Sequence, residues 1–404
     1  MTQQLPATHL PRPFGNDSFA DPYPVYAELR NEAPVHRIAL PDGSPVWLVL
    51  RDTDVRTALT DPRLSVNKAH SSTGYKGFSL PPALDANLLN IDSADHLRLR
   101  RLVARGFTAR TVESMHDRVR SAVDALADGL PEEGPADLVS GFADPLPITV
   151  IGDLFGVPDR DRRPFSRWVA NMFAPAYPGQ VNESVDAIHR FLIDLIAARR
   201  AEPGNDLLSE LISARDEGDR LSEDELVSLA FLILMAGSEN VQHIIISGLL
   251  TLLRHPAQFS ELRANQELLD GAVEEILRYA HPNQMAIRRF PTEPVDIGSA
   301  RIPPGDTVLL CLASANRDPD RYTAPERFDI HRPSTGHLAL GHGLHYCLGA
   351  PLARLQIRNA IGTFMRRFPD LALAAEPDQL RWRSSWRSHA LQSLPVTLGE
   401  PPVG

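Results

Sequence analysis

The chain is 404 residues long, 43% hydrophobic and 23% charged, the composition of an ordinary globular protein and not of a disordered or membrane-embedded one. Its 41 basic and 51 acidic side chains leave a net charge of -10. That argues against a general affinity for nucleic acid or anionic membrane and leaves room only for a local basic patch.

In chain order, Met1 to Phe14 contains prolines but no apolar run, so neither a signal peptide nor a membrane anchor is expected, and the expected location is cytoplasmic. Residues 35–50 predict a hairpin: Val35 and Ile38 lead into a turn at Pro41-Asp42-Gly43, and Val46 to Leu50 returns. Most of the chain beyond it reads as helix, with the 35 prolines marking helix ends and loops. The clearest helix opens at the capping box Ser222-Glu223-Asp224-Glu225 and runs to about Leu253, before His255-Pro256. Apolar residues on nearly all its faces place it at the centre of the core, and its longest apolar run, Leu226 to Gly237, is too short to span a bilayer. Its middle reads Ala236-Gly237-Ser238-Glu239-Asn240. A glycine there weakens the helix by about 1 kcal/mol relative to alanine, so either a closely packed neighbouring helix or a groove for a ligand is expected. A second hairpin is written in Val295–Ile297 and Arg301–Ile302 around Gly298-Ser299. Length alone allows more than one domain, but no internal repeat and no Gly/Ser linker interrupts the sequence. The expectation is therefore one domain over residues 1–404, mostly α with a small β region.

The two cysteines lie far apart, and in a reducing compartment no disulfide between them is expected. Cys311 sits in the strand-like Leu309-Leu310-Cys311-Leu312. Cys347 sits in Leu340-Gly341-His342-Gly343-Leu344-His345-Tyr346-Cys347-Leu348-Gly349, with a helix expected from Pro351. Glycines let the backbone turn and bring its amides close to a sulfur. A thiolate before a helix N-terminus receives N–H hydrogen bonds and favourable dipole charge, the setting an iron-ligating thiolate needs. His342, His345 and Cys347 as zinc ligands is the weaker reading, since no second Cys/His cluster completes four-coordination.

This segment resembles the haem-binding signature of the cytochromes P450, Phe-Gly-x-Gly-x-His/Arg-x-Cys-x-Gly, at every fixed position except the first, where Leu340 replaces phenylalanine. Glu275 and Arg278 resemble the family's Glu-x-x-Arg helix, and Pro325-Glu326-Arg327-Phe328 resembles the segment adding a second arginine. The resemblance makes Glu275, Arg278 and Arg327 a structural network behind the cysteine loop; an isolated i, i+3 pair is more often a surface salt bridge. Ala236-Gly237-Ser238-Glu239-Asn240 resembles the oxygen-activating helix, Ala-Gly-x-Glu/Asp-Thr, with Asn240 at the usual threonine. His96 and Arg100 resemble the His-x-x-x-Arg pair on a haem propionate and at i, i+4 share a helix face. Arg289 and His345 match the family's other propionate contacts.

These motifs follow the family's order along almost the whole chain. They imply the triangular, mostly helical P450 fold, haem b (iron protoporphyrin IX) ligated by Cys347, and insertion of one oxygen atom from dioxygen into a hydrophobic small molecule by hydroxylation or epoxidation. Pro81 to Asn90 and the arginine-rich helix after it look most like soluble actinobacterial enzymes acting on macrolides and related natural products. A pocket is implied from the loop Val66–Leu89, including Leu88, and from Phe173, Leu232, Met235, Met285, Ala286 and Trp386. With no flavin or nicotinamide fingerprint, a ferredoxin and its reductase are the implied electron donors, to a monomeric protein. Arg98, Arg101, Arg105 and Arg110 either dock that partner or form a solvated face. Glu239 is either a proton-relay carboxylate or one half of a salt bridge, and Asn240 offers one acceptor and one donor in place of a hydroxyl. The alternative function is a haem-thiolate gas sensor or rearrangement catalyst, which would need neither the acid on the central helix nor a basic docking face.

Overall fold

The structure is a computed structural model that describes residues 10–72, 74, 80–131, 133–216, 221–333 and 336–399. The N-terminal residues 1–9, and residues 73 and 75–79 of the loop expected to line the pocket, lie outside the described residues. Both hairpins form. β1 (Val35–Ala39) pairs antiparallel with β2 (Pro45–Val49), placing Ile38 opposite Val46. The second is β3 (Val295–Ile297) against β4 (Ala300–Ile302), and β5 (Val308–Leu310) runs parallel to β2 to complete a three-stranded sheet.

The helices that position the site are α1 (Ser93–Val103), α2 (Pro145–Phe155), α3 (Asp159–Phe173), α4 (Gln180–Ala201), α5 (Glu223–Leu253), α6 (Leu269–Ala280) and α7 (Ala350–Arg367). α5 starts as its sequence dictates: the Glu225 N–H donates to Ser222 Oγ at 3.1 Å and the Ser222 N–H to Glu225 Oε2 at 2.8 Å, satisfying two otherwise orphaned donors. Its 31 residues exceed the apolar run from which a membrane span was excluded, and by length and composition it is long and apolar enough to cross a bilayer. Instead, 72% of its most apolar window is buried within the protein. α2, α4, α6, α7 and a helical turn at Pro82–Asp85 all pack on it, which is why it is apolar on every face. Each fully buried leucine, isoleucine or phenylalanine contributes about 1.5–3 kcal/mol.

Gly237 answers one of the open questions. A Cβ built on it would lie 2.7 Å from Ile151 Cγ1 of α2, so the missing side chain admits a neighbouring helix. Close helix packing is thus one reason for a glycine here, and α5 runs through this position without a break.

Candidate active site

Cys347 is presented by a loop that closes on itself. The Gly341 N–H donates to Leu338 O at 2.8 Å, the Tyr346 N–H to Gly343 O at 3.1 Å and the Cys347 N–H to Leu340 O at 2.9 Å. Gly341 and Gly343 have φ of 76° and 69°, left-handed values that side chains disfavour, and a Cβ on Gly343 would also lie 2.8 Å from Thr60 Cγ2. α7 then begins at Ala350 behind the N-cap Gly349. Burial pushes the Cys347 thiol up, while the Gly349 N–H and the charges of Arg100 and Arg354 pull the other way.

Beside this loop the four expected propionate residues come together from three separate segments. His96 and Arg100 occupy one face of α1, and the His96 and His345 rings lie 4.4 Å apart. Arg289 arrives on an extended strand held to β5 by two hydrogen bonds with Val308, 2.9 and 2.8 Å; it is only 2% exposed. Burial, then the neighbouring cations, pushes His345 down to about 3; burial, then Arg100, takes His96 to about 4. Burial lowers Arg289 to about 10. Among the described residues neither Arg100 nor Arg289 forms an ion pair with a carboxylate, and buried His96 Nδ1 has no partner. The nearby Asp92 is already engaged by the Ser65 hydroxyl and by the Val66 N–H at 3.1 Å. A buried guanidinium without an ion-pair partner is costly, and Arg289 beside Arg100, His96 and His345 fits a dicarboxylate ligand such as haem.

The other expected motif lies in the middle of α5. Between Leu226 and Leu252 every residue is buried except Met235, Ala236, Gly237, Glu239 and Asn240, so accessible surface reappears in the centre of the core only at the expected motif. Glu239 is not free. Its Oε1 accepts from Arg383 Nη1 at 3.0 Å and lies 3.4 Å from His243 Nε2. Burial alone would raise the Glu239 carboxyl, but the His243 N–H and the Arg383 charge prevail and hold it below its ordinary value. Burial also lowers His243, against the pull of the Glu239 carboxylate. The salt-bridge reading of Glu239 thus describes its resting geometry, and Arg383 was not foreseen.

The network behind the loop needs a correction. Glu275 and Arg278 form the expected pair, at 2.7 and 2.8 Å with both side chains buried. The second arginine is Arg332, whose Nε lies 3.1 Å from Glu275 Oε1. Arg327 is not part of the pair: its side chain is 69% exposed on Asp329, and only its carbonyl faces inward, toward Arg278 and Arg332. The Arg327 N–H closes a turn on Ala324 O at 3.0 Å, and its guanidinium is taken by Asp329 in place of Glu275.

The family model for Cytochrome P450 matches residues 164–382. The P450 monooxygenase PikC of Streptomyces venezuelae is 46% identical, over 95% of this chain and 92% of its own. The chain belongs to the cytochrome P450 family. The 6-deoxyerythronolide B hydroxylase of Saccharopolyspora erythraea is 40% identical over 95% of this chain and 98% of its own. The tirandamycin C-bound structure of the P450 monooxygenase TamI superposes with a TM-score of 0.91 at 41% identity, covering 96% of this chain and 99% of that one. The fold is thus the P450 fold, the cofactor is haem, and the protein is a P450 monooxygenase with actinobacterial relatives, as the resemblance implied.

The remaining expected residues of this P450 are more scattered. Leu88 and Leu232 are buried in the main core, and Met285 and Ala286 run beside β5. Phe173, 45% exposed, ends α3. Trp386 stacks on Phe14 at 6.1 Å with Arg387 over its ring at 4.7 Å, so its indole is already engaged. In the basic run, Arg101, Arg105 and Arg110 are exposed. Arg98 is instead tied to Glu225 in the cap of α5, a correction to its expected place in a docking face.

Proposed function

We propose that this P450 hydroxylates or epoxidises a hydrophobic natural product, a macrolide or polyketide, using dioxygen and electrons delivered by a ferredoxin and its reductase. The observations that support the reading are a cysteine loop beside Arg100 and Arg289, neither ion-paired among the described residues, and an interior stretch of α5 that keeps accessible surface at the expected motif. Bound there through Cys347, haem supplies oxygen activation, the thiolate's electron density favouring O–O cleavage. His96, Arg100, Arg289 and His345 are the residues that would hold its propionates, the guanidiniums as charges and the neutral imidazoles as N–H donors.

The other residues bind, exclude water and move protons. Leu88, Leu232, Met235, Ala236, Met285 and Ala286, with Phe173, give the apolar lining that holds a large substrate by shape. Glu239 passes protons inward from the side of Arg383, and the Asn240 amide orders a water beside it, accepting through its carbonyl and donating through its NH2. Arg101, Arg105 and Arg110 offer an acidic ferredoxin a basic face. The natural-product assignment draws its support from the hydroxylase of 6-deoxyerythronolide B and the structure with tirandamycin C.

The test is a panel of macrolides, linear polyketides, terpenoids and peptides titrated for a low- to high-spin shift. It is followed by turnover with ferredoxin, reductase, NADPH and isotopically labelled dioxygen. The expected result is a product carrying one labelled oxygen atom from a macrolide or polyketide. Spin-shifting ligands of that class that yield no labelled product, or labelled product only from the other classes, refute it.

A further inference from the structure

Glu274 and Glu275 are adjacent on α6, yet they serve different parts of the chain. Glu275 faces Arg278 and Arg332. Glu274 accepts from Arg354 of α7 in a two-point contact, Nε–Oε1 2.5 Å and Nη2–Oε2 2.9 Å, and from His337 Nε2 at 3.1 Å. His337 precedes the cysteine loop and Arg354 follows it, so one carboxylate ties together the chain entering the loop and the chain leaving it. The Arg354 guanidinium also reaches the Tyr346 hydroxyl, 3.3 Å from Nη1. From α1, Arg100 Nη2 donates to the Tyr346 carbonyl at 2.7 Å. Tyr346 immediately precedes Cys347, so its side chain and its main chain are each held by a guanidinium from a different helix. Paired, charge-assisted contacts of this kind are the stronger and more directional class of hydrogen bond.

We propose that Glu274, Arg354 and Arg100 are positioning residues for the thiolate: they fix the Tyr346–Cys347 peptide and set the charge around the sulfur, and so govern haem retention and the reduction potential of the iron. This rests on Cys347 being the ligand. A cation near the sulfur stabilises the more negative, reduced state, so Arg354 raises the potential and Glu274 lowers it. Arg100 serves the loop as well as a propionate, which links occupation of the haem edge to the geometry of the ligand.

The two halves of the ion pair separate positioning from mere stability. Arg354→Met and Glu274→Gln break the same contact but change the local charge in opposite senses. In holoenzyme, both are expected to lose haem to an acceptor apoglobin about 10-fold faster than wild type, in line with other residues supporting a metal ligand. Their reduction potentials should shift in opposite directions, down for Arg354→Met and up for Glu274→Gln. Wild-type haem release in either variant, or displacement of both potentials in the same direction, overturns the proposal. If Arg354→Met does not fold, Arg354→Lys and Tyr346→Phe carry the test: both keep the potential near wild type and release haem faster, and release at the wild-type rate overturns it. A wild-type protein without a thiolate-type carbon monoxide spectrum would instead show that the assignment of Cys347 itself is wrong.

Discussion

The cysteine loop and the middle of α5 both carry residues expected at the site, but they are built differently. The loop is irregular backbone, closed by its own hydrogen bonds and two left-handed glycines and tied to α6, α7 and α1 by ion pairs and hydrogen bonds. The α5 segment is regular helix whose Glu239 is held by Arg383, from the far end of the chain, and by His243 one turn further on. The loop side is held by many short links from three helices, whereas Glu239 is held by two side chains.

The largest expected effect breaks the support of the loop side. Glu275→Ala leaves Arg278 and Arg332 charged and buried without their carboxylate, a loss of about 3–5 kcal/mol from a total folding stability of only about 5–15 kcal/mol. Denaturant unfolding and haem content after expression measure it; a fully loaded protein of wild-type stability would mean that the pair is dispensable. Next comes the α5 side, where the expected loss is catalytic and not structural. Asn240→Ala should consume NADPH but release peroxide, with product per NADPH falling to about a tenth or less, while haem content and substrate affinity stay near wild type. Asn240→Thr should remain coupled. Unchanged coupling in Asn240→Ala would remove this amide from proton delivery and pass the role to a hydroxyl of the substrate.

A smaller effect is expected at the exposed arginines. Arg101→Glu with Arg105→Glu should slow ferredoxin-driven turnover several-fold, more so at low salt, and leave peroxide-driven turnover intact. An equal loss in both assays would rule out docking at that face. The smallest effect involves neither face. His281, just after α6, is buried with both ring nitrogens unpartnered and is pushed down to about 3, chiefly by burial; burial likewise takes His389 to about 4. Both titrate near 6.5 in the unfolded chain, so below that pH the unfolded state binds more protons and stability falls as pH falls. Thermal unfolding between about pH 7.5 and about pH 5 should show this decline. His389→Gln should flatten it, and a parallel curve would remove His389 from the account.

The same contrast explains what could be read in advance. The loop signature and the His96/Arg100 and Glu275/Arg278 pairs were legible because each lies within one contiguous segment and its spacing fixes a shared face. The long central helix was legible from its capping box and its all-round apolarity. Arg327 was given the place that Arg332 holds because both follow the same segment, and the residue types alone do not declare which guanidinium reaches Glu275. Arg383 could not be found, since its contact with Glu239 is made only by the tertiary fold. Glu274 left a signal that went unused: it is the second acid of a pair on a helix whose neighbour was already assigned.

The central claim is that Cys347, and not Cys311, ligates the haem iron. Cys311 is fully buried among β1, β2 and β5, its thiol pushed up to about 12 by burial. The direct measurement is the absorption spectrum of the reduced, carbon monoxide-bound protein as wild type, Cys311→Ala and Cys347→His. Wild type and Cys311→Ala should both show the long-wavelength maximum of thiolate-ligated haem, and Cys347→His should move to the shorter wavelength of histidine ligation. A thiolate maximum that survives in Cys347→His, or disappears in a folded, haem-loaded Cys311→Ala, would contradict the account.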